Sequence, residues 1–188
     1  MAARHVYLVR HGQYRVESGD GFDMDGSLTA VGREQAALTA EALRIYPVST
    51  VYSSPLRRAV ETAEFIASTF DLSVQMVPEL REVIPVIPAD LTDFFAQNMP
   101  ELTPDVVADQ KQAADSIFDR FFGLPDADNT THEVLVCHGN IIQYLACLVM
   151  GAPGDLWLNM DVYHCSITRC TMGASGRRHL VSLNLAAG

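Results

Sequence analysis

The chain has 188 residues, 48% hydrophobic and 19% charged, a balance that suits one globular domain over residues 1–188 and excludes a disordered tail or a fibrous repeat. Thirteen basic against 23 acidic residues give a formal charge of −10, and no Lys/Arg cluster is long enough to follow a phosphate backbone, so no nucleic acid is expected as a partner. No apolar run reaches the roughly 20 residues of a spanning helix, no cleavable apolar block opens the sequence, and four cysteines lack CxxC spacing; a cytoplasmic protein with reduced core thiols and no membrane partner is expected.

The elements follow in order. Residues 5–9 (HVYLV) form a short β-branched run, and Thr29 is placed to cap a helix that ends near Leu43, before Pro47. Residues 50–53 read as a second strand, and Pro55 fits the first turn of a helix from about residue 56. A third strand is expected over 72–77. Five prolines then interrupt residues 78–104, which read as a substrate-side loop with a short helix at 91–97. A helix over 105–122, a strand over 133–137 (EVLVC) and a helix over 141–150, ended by Gly151, complete the alternation. Residues 165–172 and 179–185 flank a Gly-rich turn as a closing hairpin. The fold class this implies is α/β: a three-layer α/β/α domain with a mostly parallel sheet, helices on both faces and an antiparallel hairpin at the C-terminus. Trp157, Leu156 and Leu158, beside a Pro-Gly turn, either form an apolar patch for a homodimer or cover the sheet edge, the second being favoured.

One pattern occurs twice. VYLVRHG (6–12) and EVLVCHGN (133–140) are both apolar strands that run straight into His-Gly. Ligands of open parallel sheets bind outside the carboxyl ends of strands where strand order reverses, so two such ends can bring His11 and His138 into one crevice. Gly12 and Gly139 allow sharp turns and close approach to an anion, and a helix opening at Gly139 favours negative charge. Arg10 supplies a guanidinium beside His11, and SSPLRRAVETA (53–63) supplies a second, from Arg57 or Arg58. The crevice reads as a phosphate site. Taken singly, His11 and His138 read as ordinary loop residues, Arg57 and Arg58 as solvated, and the acidic residues Glu17, Asp20, Asp23 and Asp25 as a solvated loop or a pocket rim.

In these motifs the sequence resembles the histidine phosphatases, the phosphoglycerate-mutase-like superfamily: Arg10-His11-Gly12, the arginine motif at 53–63, Leu80-Arg81-Glu82 and His138-Gly139 stand in the family's order. RHGQY (10–14), SLTAVGREQAALT (27–39), LREV (80–83), VCHGNIIQYLAC (136–147) and SIT (166–168) are more closely similar to its branch of protein serine/threonine phosphatases known from mitochondria. The anchoring N-terminal segment of that branch has no counterpart here, so its location and partners are not carried over. The resemblance implies a phosphoryl group carried transiently on His11. Arg10, Arg58 and His138 would surround its oxygens, and Glu82 would act as general acid and base. It selects Arg58, which directly precedes the alanine of RAVETA, and it favours Glu82 over Glu79 and Asp90 by the L-x-E position. Family members with a small hydroxyl residue and an asparagine after the nucleophile differ from this chain, which has Tyr14 and Glu17; Gln13 is the expected substitute contact, with Gly139 also at the phosphate.

The expected activity is hydrolysis of a phosphorylated protein or a small phosphoester, releasing inorganic phosphate without a metal or other cofactor. Alternatives are a phosphohistidine protein phosphatase, a phosphoglycerate-type mutase, for which residues 78–104 are a short lid, and a phosphate-binding module without turnover. The histidines outside the two motifs show no HxxxH or zinc spacing.

Overall fold

The computed structural model describes residues 2–17, 24–125 and 129–186. Strands β1 (Ala3–Arg10), β2 (Thr50–Ser53), β3 (Val74–Met76), β4 (Thr131–Cys137), β5 (Ile167–Gly173) and β6 (Arg178–Leu185) form one sheet in the order β3-β2-β4-β1-β5-β6. The pairs among the first four are parallel, and β5 and β6 continue the sheet antiparallel. Their sequences explain the layers. Val6 and Leu8 of β1 face one side and Tyr7 and Val9 the other, all fully buried, the near-continuous apolar run of a strand covered on both faces. Helices α1 (Ala30–Leu43) and α2 (Arg57–Thr69) pack on the Tyr7/Val9 side; α4 (Pro104–Phe121) and α5 (Gly139–Met150) pack on the Val6/Leu8 side. The expected α/β/α sandwich and closing hairpin are present.

Local signals set the helix ends. The Thr29 hydroxyl accepts from the Gly32 N–H at 3.0 Å and starts α1, as expected, while Gly151 takes the left-handed conformation (φ 67°) that ends α5. Three boundaries differ from the sequence reading. Pro55 lies outside α2, whose cap position is Leu56, so it is not in the first turn. β3 is shorter than 72–77: the Leu72 N–H is held by the Ala67 carbonyl at the end of α2, and the chain enters a 3-10 turn at Pro78–Leu80. α5 starts at Gly139, two residues early, because the His138 carbonyl accepts from the Ile142 N–H at 3.3 Å.

Residues 78–104 are more ordered than a loop. After the first 3-10 turn comes an extended stretch, a second 3-10 turn (Ala89–Leu91) and α3 (Thr92–Asn98). Trp157 lies in the core with 1% exposure and donates its indole N–H to the Val86 carbonyl at 2.8 Å, fastening this segment to the α5 side. It therefore joins no exposed patch; Leu156 and Leu158 are exposed on either side of it. All four cysteines are buried free thiols. Among the described residues, no helix is long and apolar enough to cross a membrane.

The sheet order positions the site. Arg10 pairs with Cys137 in parallel register, so His11 and His138 leave the same end of neighbouring strands. From there β1 connects to α1 on one face and β4 to α5 on the other, the place where connections diverge and a crevice opens.

Candidate active site

His11 is 3% exposed and His138 fully buried, with ring centroids 5.0 Å apart. The His11 N–H still belongs to the sheet, bonded to the Cys137 carbonyl at 3.0 Å, which ties the imidazole's origin to the rigid β1–β4 ladder. Gly12 follows with its N–H on the Thr62 hydroxyl at 3.0 Å, and a Cβ there would stand 2.7 Å from the Gly32 carbonyl, so only glycine lets α1 approach the turn. Gly139, in contrast, packs on the Arg10 guanidinium at ordinary contact distance (3.6 Å for an added Cβ).

The hydrogen bonds fix both tautomers, because a guanidinium only donates. Arg58 Nε lies 3.2 Å from His11 Nε2, so Nε2 carries a lone pair and Nδ1–H donates to the Gly12 carbonyl at 2.9 Å. Arg58 Nη2 lies 3.2 Å from His138 Nδ1, so the proton of His138 sits on Nε2, 2.8 Å from the Ser54 hydroxyl. Burial first, then the positive charges of Arg58 and Arg10, holds His11 well below the usual imidazole range, against the pull of its bond to Gly12. Burial does the same to His138, reinforced by His11 and the same arginines. Both rings are neutral near pH 7.

Of the two competing arginines, Arg58 is in the site at 4% exposure. Arg57 points outward and pairs with Glu61 (3.0 Å) and Glu17 (2.9 Å). Arg10 donates from Nη1 to the Val162 carbonyl at 2.5 Å, while its buried Nε has no hydrogen-bond partner among the described residues. An orphaned guanidinium N–H beside a cavity is a donor awaiting an anion. Glu82 is half-buried on the same cavity, and its Oε1 accepts from the N–H groups of Asn140 (3.2 Å) and Val83 (3.3 Å). Burial raises its carboxyl to about 7, outweighing those N–H groups and the nearby Arg10 and Arg58. The first-turn amide of α5 at Asn140 is thus committed to Glu82. The cavity, about 270 Å³, is completed by Tyr14, Met24 and Met99.

His11, His138, Arg10, Arg58, Glu82 and Gly139 therefore converge as expected from the sequence, and Gln13 does not. Its side chain accepts from the Thr29 hydroxyl at 2.7 Å on the exposed start of α1, and Tyr14 takes the place beside the pocket, edge-on to His11 (5.2 Å) with the Arg58 guanidinium 4.6 Å above its ring. Of the acidic stretch, Asp20 and Asp23 lie outside the described residues and Glu17 pairs with Arg57. Asp25 is a working part of the site. Its carboxylate accepts from the backbone N–H groups of Gly26 (2.8 Å), Arg57 (2.7 Å) and Arg58 (3.4 Å) and from Arg58 Nη1 (3.3 Å), so one side chain caps α2 and grips the guanidinium. His164 was missed as well. Its ring lies 5.4 Å from that of His11, and burial and Arg10 push it down to about 4. The signal was available: β5 runs antiparallel to β1, so residues just before it fall at the C-terminal end of β1.

Paired histidines and arginines at the carboxyl ends of a three-layer α/β/α sheet define a phosphoglycerate-mutase-like protein. The profile of the histidine phosphatase superfamily (branch 1) matches residues 6–186, and the chain belongs to that family. The mitochondrial serine/threonine-protein phosphatase Pgam5 of Drosophila grimshawi is 32% identical over a match covering 93% of this chain and 60% of that protein. Pgam5 of Drosophila persimilis is 33% identical over the same shares, so this chain spans about 60% of the length of these relatives. Among solved structures, mycobacterial hydrolase 2 superposes with a TM-score of 0.73 at 25% identity, covering 100% of this chain and 93% of that one. A putative alpha-ribazole-5′-P phosphatase from Escherichia coli shares the fold with a TM-score of 0.75 at 21% identity, covering 96% of each chain.

Proposed function

We propose that this protein hydrolyses phosphate monoesters through a phosphohistidine formed on His11, with phosphorylated Ser/Thr side chains or small phosphoesters as substrates. One observation carries the reading: His11 presents an unprotonated Nε2 to the Arg58 guanidinium, with its other nitrogen locked on the Gly12 carbonyl. In the first step Nε2 attacks phosphorus, the N–P bond forms and the ester P–O bond breaks. The Arg58 N–H passes from Nε2 to a phosphoryl oxygen, and the free Nε–H of Arg10 takes a second, while His138 Nδ1 accepts from Arg58 Nη2 and holds that guanidinium beside the phosphoryl group. Glu82, with Oε1 occupied by backbone donors, gives a proton from Oε2 to the leaving oxygen. In the second step water attacks phosphorus, Glu82 takes its proton, the N–P bond breaks and inorganic phosphate leaves. The Pgam5 relatives, named as serine/threonine-protein phosphatases, support this class of substrate. The cytoplasmic location expected from the sequence is part of the proposal, consistent with four buried free thiols.

The test is hydrolysis of p-nitrophenyl phosphate and of phosphoserine/phosphothreonine peptides in EDTA, native protein against His11→Ala, with trapping of an acid-labile phosphoenzyme. Turnover that survives EDTA and disappears with His11 supports the reading. Turnover by His11→Ala, or a metal requirement, overturns it.

A further inference from the structure

Resting on the phosphatase reading, we infer that the pocket selects monoesters whose leaving group is apolar and uncharged next to the ester oxygen, and that Met24, Met99 and Tyr14 set this preference. The charges are already matched. Arg10 and Arg58 are the two cations on the cavity, enough for one phosphate dianion, and Arg58 shares its charge with Asp25. Among the described residues the rest of the wall is the His11 ring, two thioethers, a phenol ring and the Glu82 carboxyl. A second anionic group on the substrate, such as the carboxylate of a phosphoglycerate, would leave water for surfaces that offer dispersion contact and no counter-charge. An ionised Glu82 would repel it.

Neighbouring cations do not change this. Arg57 is paired with Glu17 and Glu61, and Arg81, whose charge reaches His138, lines the neighbouring hollow of about 380 Å³ on the other side of Glu82, with Glu79 and Asp109. Residues 18–23, SGDGFD, bring no Lys or Arg, and the chain's charge of −10 disfavours further negative charge throughout. An aryl or alkyl group, or a phosphorylated side chain with apolar neighbours, instead gains contact with Met24, Met99 and Tyr14, and flexible thioethers accept a range of shapes.

Phenyl phosphate and 3-carboxyphenyl phosphate separate charge from leaving-group chemistry, since their phenol oxygens are of nearly equal basicity. Native protein should favour phenyl phosphate by about tenfold or more in kcat/KM, and an apolar-flanked phosphoserine peptide over an acidic-flanked one in the same direction. Met99→Lys and Met24→Lys should move the ratio toward the carboxylate ester, and Met99→Leu should keep it. Both esters are read on one sample, so the ratio does not depend on how much protein is folded. Equal kcat/KM in the native protein, or a ratio that both lysine variants leave in place, overturns the inference while the phosphatase reading stands. If the native protein hydrolyses neither ester, calorimetric affinities of the two esters for native protein decide the preference: tighter phenyl phosphate upholds it, equal affinity overturns it, while the phosphatase reading fails only with absence of turnover on p-nitrophenyl phosphate and the phosphopeptides as well.

Discussion

The sheet carries two pairs of imidazoles on the same two strands, one at each end. His5 and His132 face each other in register near the starts of β1 and β4, stacked at 4.3 Å, and His11 and His138 follow the ends of those strands at 5.0 Å. Burial lowers the affinity of all four for a proton. The partners differ. At the first end the polar atoms bond to the protein itself, His5 Nδ1 to the Thr171 hydroxyl (3.0 Å) and His132 Nδ1 to the Tyr7 hydroxyl (2.8 Å), with Arg169 laid over Tyr46. At the second end an orphaned Arg10 N–H and a raised Glu82 carboxyl face a cavity. Paired histidines are packing at one end and carry the proposed chemistry at the other; unfilled donors and an open volume make the distinction.

The largest effect expected is on the proposed nucleophile. His11→Ala should lower kcat/KM by about a thousandfold or more, whereas His132→Ala should leave it within about threefold and lower Tm instead. A strong activity loss from His132→Ala with unchanged Tm would break the contrast between the two ends.

Asp25 sharpens the picture of how the active end is held. Arg58→Ala should cost about a hundredfold in kcat/KM, and Asp25→Ala should combine an activity loss with about 1 kcal/mol of lost helix cap. Asp25→Asn keeps an acceptor for the α2 amides and loses the ion pair, so Tm should recover more than kcat/KM does, to a residual loss of about tenfold. Parallel recovery of both would make Asp25 a cap alone.

Glu82 links leaving group to pH. Glu82→Gln should slow alkyl phosphates by about a hundredfold and p-nitrophenyl phosphate far less, because nitrophenolate leaves without a proton. On alkyl esters, native kcat/KM should fall as pH rises through about 7, where the acid ionises. Its folded value lies above the ordinary carboxyl value of 4.5, so the folded state binds the proton more tightly. Stability from this group is full below about 4.5 and lost as pH rises through about 7; Glu82→Gln should raise Tm at pH 8 and leave it unchanged at pH 4.

The smallest effect concerns the packed end. His132 is held below the ordinary imidazole value of 6.5, so the unfolded chain binds its proton more readily and stability is lost as pH falls below about 6.5. His132→Gln should flatten that part of the Tm–pH curve.

Much of this was legible because it is local in sequence. A strand running into His-Gly at 6–12 and again at 133–139 announces both its burial and its end, and the cap at Thr29 and stop at Gly151 are chemistry of one or two residues. The RAVETA position separated Arg58 from Arg57, and the structure shows why: on α2 the first faces the crevice and the second faces solvent. What was hidden depends on the tertiary path. Asp25 reads as one more acid in an acidic loop until that loop crosses the start of α2. Gln13 reads as a phosphate contact until Thr29 is found bound to it. Met24 and Met99 have no periodicity and meet only because residues 78–104 fold back over the crevice.

The bond between Trp157 and the Val86 carbonyl gives the molecule an optical property. The chain has one tryptophan, so its emission comes from a single ring beneath the segment that delivers Met99 to the pocket. Any ligand that lifts or tightens that segment changes the polarity around one indole, and a spectral shift can be followed in unlabelled protein, with turnover and folding resolved in the same cuvette.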